Sequence, residues 1–223
     1  GDDTIIGGND ADDLYGEAGF DRLFGGSGSD TLNGGSGVDK LWGQNGNDSL
    51  LGGSGKDALN GGNGADFLCG QSGGDKLIGR RGDDTLKGGN GVDTLYGQNG
   101  RDCLFGQRGD DTLSGGNGSH KLHGGEGSDR LEGEDGADRL IGGTGADVFV
   151  LADGIWADRI TDFSTTEGDR ILLADVTALT SFADVTAAAS QTADGLLIDT
   201  GGSGSVLLVN TLLSDLAASD FIF

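Results

Sequence analysis

A nine-residue unit repeated in tandem constrains this chain more than any other property it has. Written in nines from Gly7, the sequence reads GGNDADDLY, GEAGFDRLF, GGSGSDTLN, GGSGVDKLW and onward to GGTGADVFV, which ends at Val150. That makes sixteen full units, with GDDTII before them as the tail of one more. Position 1 of the unit is Gly throughout, position 4 is Gly except for Asp10, and position 6 is Asp except for His120. Position 8 is Leu apart from Ile5 and Phe149. Position 2 admits Gln44, Arg80 and Glu134, which reads as a less demanding backbone geometry there. Self-similarity at a fixed period is the mark of stacked repeats.

The last three residues of each unit run variable, apolar, variable, the alternation of a half-buried strand. Three-residue strands separated by six-residue glycine turns cannot close on a core of their own as hairpins. Stacked as a solenoid they can. Position 8 then points inward, positions 7 and 9 point outward, and two units make one coil. Strand n pairs in parallel with strand n+2. At about 4.8 Å per coil, the sixteen units build a rod on the order of 40 Å long.

Composition agrees with this reading. There are 48 glycines in 223 residues, no proline and no methionine, and 34% of residues are hydrophobic. That is little apolar matter for an ordinary core, and glycine without a three-residue collagen period points to a repeat whose backbone conformation matters. Thirty-seven acidic against 14 basic residues leave a formal charge of −23. Such a chain is a poor partner for nucleic acid and a good one for cations. An acidic, glycine-rich composition on its own would read as disorder; the strict placement of the aspartates argues against it. No run of 18 apolar residues exists, so no membrane span is expected. No N-terminal signal peptide is visible, and the chain starts in mid-pattern, which reads as a module of something longer.

The stack arranges the position 6 residues in two columns. The first runs Asp3, Asp21, Asp39, Asp57, Asp75, Asp93, Asp111, Asp129, Asp147; the second runs Asp12, Asp30, Asp48, Asp66, Asp84, Asp102, His120, Asp138. Carboxylates about 5 Å apart repel one another unless a cation lies between them. The turns also aim backbone carbonyls inward, where they need partners. Carboxylate plus carbonyl oxygen, without thiolate or imidazole, is a hard ligand set that selects calcium over zinc or copper. Magnesium prefers a tighter octahedron and keeps its waters, so it fits less well.

The unit GGxGxDxLx, carried in tandem through residues 1–150, resembles the nonapeptide of RTX proteins, the calcium-binding repeat of type I-secreted bacterial toxins, proteases and lipases. The resemblance implies an all-β fold, a right-handed parallel β-roll solenoid over residues 1–150. It also implies sites made from carbonyls of positions 2 and 4 and the Asp of one loop, facing carbonyls of positions 1 and 3 and the Asp of the loop two units later. Carried onto this chain, one such site is Gly26, Gly28 and Asp30 facing Gly43, Asn45 and Asp48. Repeated along both columns, that implies on the order of a dozen Ca2+ ions, each with six to eight oxygen ligands. Charge and glycine entropy would keep the metal-free chain unfolded in low cytosolic calcium. Extracellular calcium would bind only the folded stack and drive its formation after type I export.

Beyond Val150 the period stops. The segments ADRITDF (157–163), GDRILLADV (168–176), GLLID (195–199) and SVLLVN (205–210) read as short strands, and SFADVTAAAS (181–190) as a short helix. ADVFV closing the repeats, DRITDF followed by GDRILL, and an acidic residue before three apolar ones in DFIF resemble the C-terminal region of serralysin-type proteases. That resemblance implies that residues 151–223 form a small β-rich cap carrying the type I secretion signal. Phe221, Ile222 and Phe223 also read as an edge strand of that cap. Asp158, Asp162 and Asp169 read more readily as solvated loop residues than as ligands for a further calcium.

Cys69 and Cys103 fall on one sheet two coils apart, about 10 Å by strand spacing, too far for a disulfide. Outward aromatics include Tyr15, Phe24, Trp42, Tyr96 and Phe105, with Ile6, Phe24 and Trp42 adjacent. They read as ordinary strand residues, with docking of polysaccharide or of an upstream domain as the alternative. Outward threonines (Thr31, Thr85, Thr94, Thr112) are interrupted by Lys, Ala, Phe and Cys, which excludes a regular ice-binding ladder. No nucleophile–base pair is recognisable, since the two histidines both lie in HKLH (120–123). His120 replaces a column ligand and reads as a missing rung. The chain therefore reads as a non-catalytic, secreted, extracellular calcium-binding module, with an enzyme or a polysaccharide-binding adhesin as the larger protein it would belong to.

Overall fold

A computed structural model describes residues 1–151, 157–173, 176–201 and 204–223. Two long sheets wind about a common interior. The first takes Thr4–Asn9, Arg22–Ser27, Lys40–Asn45 and every second strand up to Val148–Leu151, then adds Arg170–Leu173 and Phe221–Ile222. The second takes Asp13–Tyr15, Thr31–Gly37, Ser49–Ser54 and so on to Arg139–Thr144. It then adds Ala157–Ile160, Gly204–Val209, Gly195–Gly201 and Ala189–Gln191, with the last two joined antiparallel. Every pairing within the repeats is parallel, and partners are eighteen residues apart, as in Leu23 opposite Leu41. The chain is thus an all-β parallel solenoid of two nonapeptides per coil, a β-roll.

Position 8 fills the interior. Leucines from Leu23 to Leu140 stack one per coil on each side, none more than 1% exposed, and Phe149 closes the series. Each buried leucine removes apolar surface worth about 1.5–3 kcal/mol from water. One leucine per nine residues therefore suffices, because the coil above and below covers what the unit itself cannot.

Two details differ from the sequence expectation. The strands are six residues long, not three: Lys76–Arg81 and Thr85–Asn90 each run from position 7 of one unit through position 3 of the next. Position 1 is a second inward-facing site, where only hydrogen fits beneath the aspartate of the same unit, so the alternation continues past position 9. The turn shrinks to positions 4 to 6. Position 2 also has positive φ throughout: Gly26 is at 116°, but Gln44, Gln98 and Arg80 are at 80°, 81° and 88°. The geometry there is as demanding as at a glycine. Side chains are admitted because they tighten into the left-handed basin at a cost of about 1 kcal/mol and point to solvent. Position 4 is different. Its φ is 129° at Gly28 and 146° at Gly73, outside the left-handed basin, and a Cβ there would run into a carbonyl of the adjacent coil, as it would on the wide-φ glycines of position 2 such as Gly26.

The C-terminal segment extends both sheets, and its apolar residues join the leucine interior as one core running from Leu14 to Phe221. The expected strands are present as Ala157–Ile160, Arg170–Leu173, Gly195–Gly201 and Gly204–Val209; residues 174–175 of the second stretch lie outside the described residues. The helix is Phe182–Ala188, N-capped by Ser181, after which Ala189–Gln191 turns into a strand. Phe221–Ile222 is an edge strand paired with Ile171 and Leu172. Among the described residues no helix is long and apolar enough to cross a membrane.

Candidate metal columns

The two columns form as the stacking requires. From Asp21 to Asp147 every position 6 side chain is buried, none more than 3% exposed, His120 included. Asp3 and Asp12, in the first coil, are exposed and half-buried. Successive members are joined by one repeated hydrogen bond: the backbone N–H of each Asp donates to Oδ1 of the Asp one coil later. Asp39 donates to Asp57 at 2.8 Å, Asp48 to Asp66 at 2.8 Å, and Asp75 to Asp93 at 2.7 Å. This bond fixes each carboxylate and leaves its second oxygen pointing at the position 1 glycine of its own unit. That second oxygen, Oδ2, is buried without a hydrogen-bond partner in all fourteen aspartates from Asp21 to Asp147.

A buried anionic oxygen with no donor is among the most costly arrangements in a protein interior. Its electrostatic consequence is visible along the columns. Burial pushes Asp57, Asp66 and Asp129 up to about 6 and Asp75, Asp84, Asp111 and Asp147 up to about 7, against the opposing effect of the backbone N–H. For Asp75 and Asp84 the neighbouring carboxylates of the column add to the rise.

The backbone adds carbonyl oxygens to the same turns. Carbonyls of positions 3 and 6 are already engaged: Asn45 accepts from Gly28 N–H at 3.0 Å and Asp12 from Thr31 N–H at 2.8 Å. The position 4 carbonyls of Gly28, Gly46, Gly64 and Gly82 accept no hydrogen bond. Of the expected set Gly26, Gly28, Gly43 and Asn45, Gly28 thus offers an unused oxygen, while that of Asn45 also serves the coil ladder. Among the described residues no three carboxylate, imidazole or thiol side chains converge on one point. Orphaned carboxylate oxygen, in units whose turns also carry unengaged carbonyl oxygen, fits a hard divalent cation of calcium type.

The columns reach further than the repeats. Asp158 Oδ1 accepts from Asp138 N–H at 3.0 Å, and Asp169 Oδ1 accepts from Asp147 N–H at 3.0 Å, the bond made inside the roll. Their expected place as solvated loop residues is corrected: Asp169 is 3% exposed and Asp158 is pushed up to about 7 by burial. Asp169 is served completely, because its Oδ2 takes the Ser164 N–H at 2.8 Å. Asp162 instead holds the second half of the strand Arg139–Thr144, accepting from Gly142 and Gly143 N–H at 3.0 and 2.9 Å. The spacing of 20 and 22 residues hides these rungs from a search at period 18. The signal was local: ADRI (157–160) and GDRI (168–171) repeat ADRL (137–140).

His120 sits in the second column, with Nδ1 where Oδ1 belongs. Asp102 N–H approaches it at 3.2 Å, and Asp102 Oδ2 lies 3.3 Å from the same nitrogen. One nitrogen cannot accept from the first and donate to the second at once. Burial disfavours the charged ring, but the Asp102 carboxylate, with Asp138 behind it, outweighs that and raises the His120 pKa. Nε2 is buried with no partner.

Among the described residues the outward faces carry no comparable constellation. Cys69 and Cys103 are free thiols. Phe24 and Trp42 stack at 4.5 Å with an interplanar angle of 2°, beside Ile6, so their facing surfaces cover each other. Lys87 lies over the Phe67 ring and Lys121 over Phe105, at 5.4 and 5.7 Å.

Comparison with known proteins agrees with the geometry. The RTX calcium-binding nonapeptide repeat matches residues 1–23, 6–41, 15–50, 33–68, 42–77, 70–102, 99–119 and 121–155. The last two segments meet on either side of His120. No curated protein matches the chain in sequence. Among solved structures, the extracellular lipase LipA from Serratia marcescens is similar at 16% identity and a TM-score of 0.33. The match covers 93% of this chain and 40% of that one, so the chain spans less than half the lipase's length.

Proposed function

This chain belongs to the family of RTX calcium-binding nonapeptide repeats, and from that membership we propose that calcium ions fill both aspartate columns and that their binding is what folds the roll. A roll of this family is a structural calcium-binding module, not a catalytic one. The ligands are the carboxylates from Asp21 to Asp147, His120 apart, with Asp12 and Asp3 at the open first coil and Asp158 beyond the repeats. Turn carbonyls such as those of Gly26, Gly28, Gly43 and Asn45 complete the shells.

The observation that supports this reading is the row of buried Oδ2 atoms without donors. An ion between successive rungs supplies each of them with a positive partner and removes the repulsion along the column. Since the unfolded chain presents no such pairs, binding free energy becomes folding free energy. The chain would remain unfolded where calcium is scarce, pass a type I export channel in that state, and fold outside the cell. In this proposal residues 1–150 are the calcium roll, and 151–223 the cap and export signal of a secreted bacterial protein, with any passenger domain attached upstream.

A far-UV circular dichroism titration tests it. Signal of a mostly unfolded chain in chelator, converting to β-structure as free calcium rises, is the expected result. Full β-structure in chelator at neutral pH contradicts it.

A further inference from the structure

One rung of the second column is chemically unlike all others. In the regular rungs, Oδ2 is the atom that packs against the first glycine of the unit: Asp102 against Gly97, Asp138 against Gly133, Asp111 against Gly106. At Gly115 the corresponding atoms are Cδ2 and Cγ of His120. The ring reproduces the other half of the carboxylate, since Nδ1 meets the Asp102 N–H at 3.2 Å where Oδ1 would meet it at 2.7–3.0 Å. The imidazole is therefore a structural mimic of aspartate in the ladder and not a mimic of it as a ligand. Carbon stands where the unpartnered oxygen stands elsewhere.

The neighbours show that the defect is local. His120 N–H donates to Asp138 Oδ1 at 2.7 Å, and Arg139 N–H donates to the His120 carbonyl at 3.0 Å, as at any other rung. Leu122, two residues on, is fully buried. In the facing column Asp111 and Asp129 keep the regular bond at 2.8 Å and both keep an orphaned Oδ2. Asp102 and Asp138 each lose a carboxylate partner on the side facing His120 and retain one on the other side.

We propose that the two rungs bounded by His120 take up no calcium, so that the second column fills as two separate runs, Asp12 to Asp102 and Asp138 to Asp158. The first column fills without interruption from Asp3 to Asp147. The inference rests on the calcium-binding reading above and adds to it a position where the ladder is discontinuous on one side only. Hard-cation chemistry supports it. Calcium takes oxygen ligands, and its affinity follows the number of charged ligands in the shell. These two rungs each have one carboxylate instead of two.

Equilibrium dialysis of the intact chain at saturating free calcium, with metal counted by atomic emission, tests this. His120→Asp restores the missing carboxylate and is expected to bind two ions more per chain than the wild type. Asp111→His, which places the same defect in the unbroken column, is expected to bind two fewer. Equal counts for wild type and His120→Asp overturn the proposal. Should His120→Asp fail to fold, equal counts for wild type and Asp111→His overturn it instead. A wild-type chain that binds no calcium overturns the calcium reading itself, and this inference with it.

Discussion

The roll and the C-terminal segment share both sheets and one core, yet they treat buried acid groups in opposite ways. In the roll, each aspartate receives one backbone N–H and keeps a second oxygen with no protein partner. In the C-terminal segment Asp158 keeps the pattern of the roll, but the other carboxylates are served by the chain itself. Asp169 takes the N–H groups of Asp147 and Ser164, and Asp162 those of Gly142 and Gly143. Asp184 takes the hydroxyls of Thr180 and Ser181, which hold its carboxyl below the usual range. Period is the physical reason. A strict nonapeptide offers the same donors at every turn, and those donors run out at one per carboxylate; irregular loops bring in as many as each group needs. In the proposed reading a cation from outside completes the roll, while Asp162 and Asp169 need none.

Removing calcium is the largest way to separate the two. Chelation at neutral pH is expected to abolish the parallel β-signal of the roll, as read by circular dichroism. Next comes the turn glycine: Gly91→Ala drives a Cβ into the Gly73 carbonyl of the adjacent coil. Calcium-saturated protein carrying it is expected to lose several kcal/mol by denaturant titration, more than the about 2–5 kcal/mol of Leu86→Ala in the core. Single carboxylates sharpen the contrast. Asp93→Asn is expected to raise the calcium concentration needed for half-folding, whereas Asp169→Asn lowers stability by about 1–3 kcal/mol with little change in that midpoint.

Proton concentration acts with opposite sign on the columns and on Asp184. Carboxyls of Asp75, Asp84, Asp111 and Asp147 sit at about 7 in the folded, metal-free roll against an ordinary 3.8. Their protonated form is the one the fold favours, so that stability is complete below pH 3.8 and lost as pH rises towards 7. In chelator, β-signal is expected to grow as pH falls from 7 to 4. Asp184 works the other way, its contribution present above the ordinary range and lost only as pH falls through its depressed value. The smallest effect is expected at Gln98→Gly, within about 1 kcal/mol, since glycine accepts φ of 81° without strain.

Much of this molecule was legible in its repeats. A period of nine with one inward leucine and one aspartate dictates the two-sided stack, both columns and the odd rung at His120. Strand length was not legible, because position 1 carries no side chain to reveal that it also faces inward. The demand at position 2 was masked by residues such as Gln44 that tolerate the left-handed region while reaching solvent. Asp158 and Asp169 escaped because insertions shift their spacing while the backbone bond that defines a rung is preserved. A bond pattern survives loop-length changes that a sequence period does not.

Amide hydrogen exchange, read along the chain in calcium and in chelator, tests the dependence of the roll on its cation most directly. Protection of the rung amides between Asp21 and Asp138 in calcium, and its loss throughout that span in chelator at neutral pH, is the predicted result. Rung amides equally protected in both conditions would show that the columns need no ion and would contradict this account.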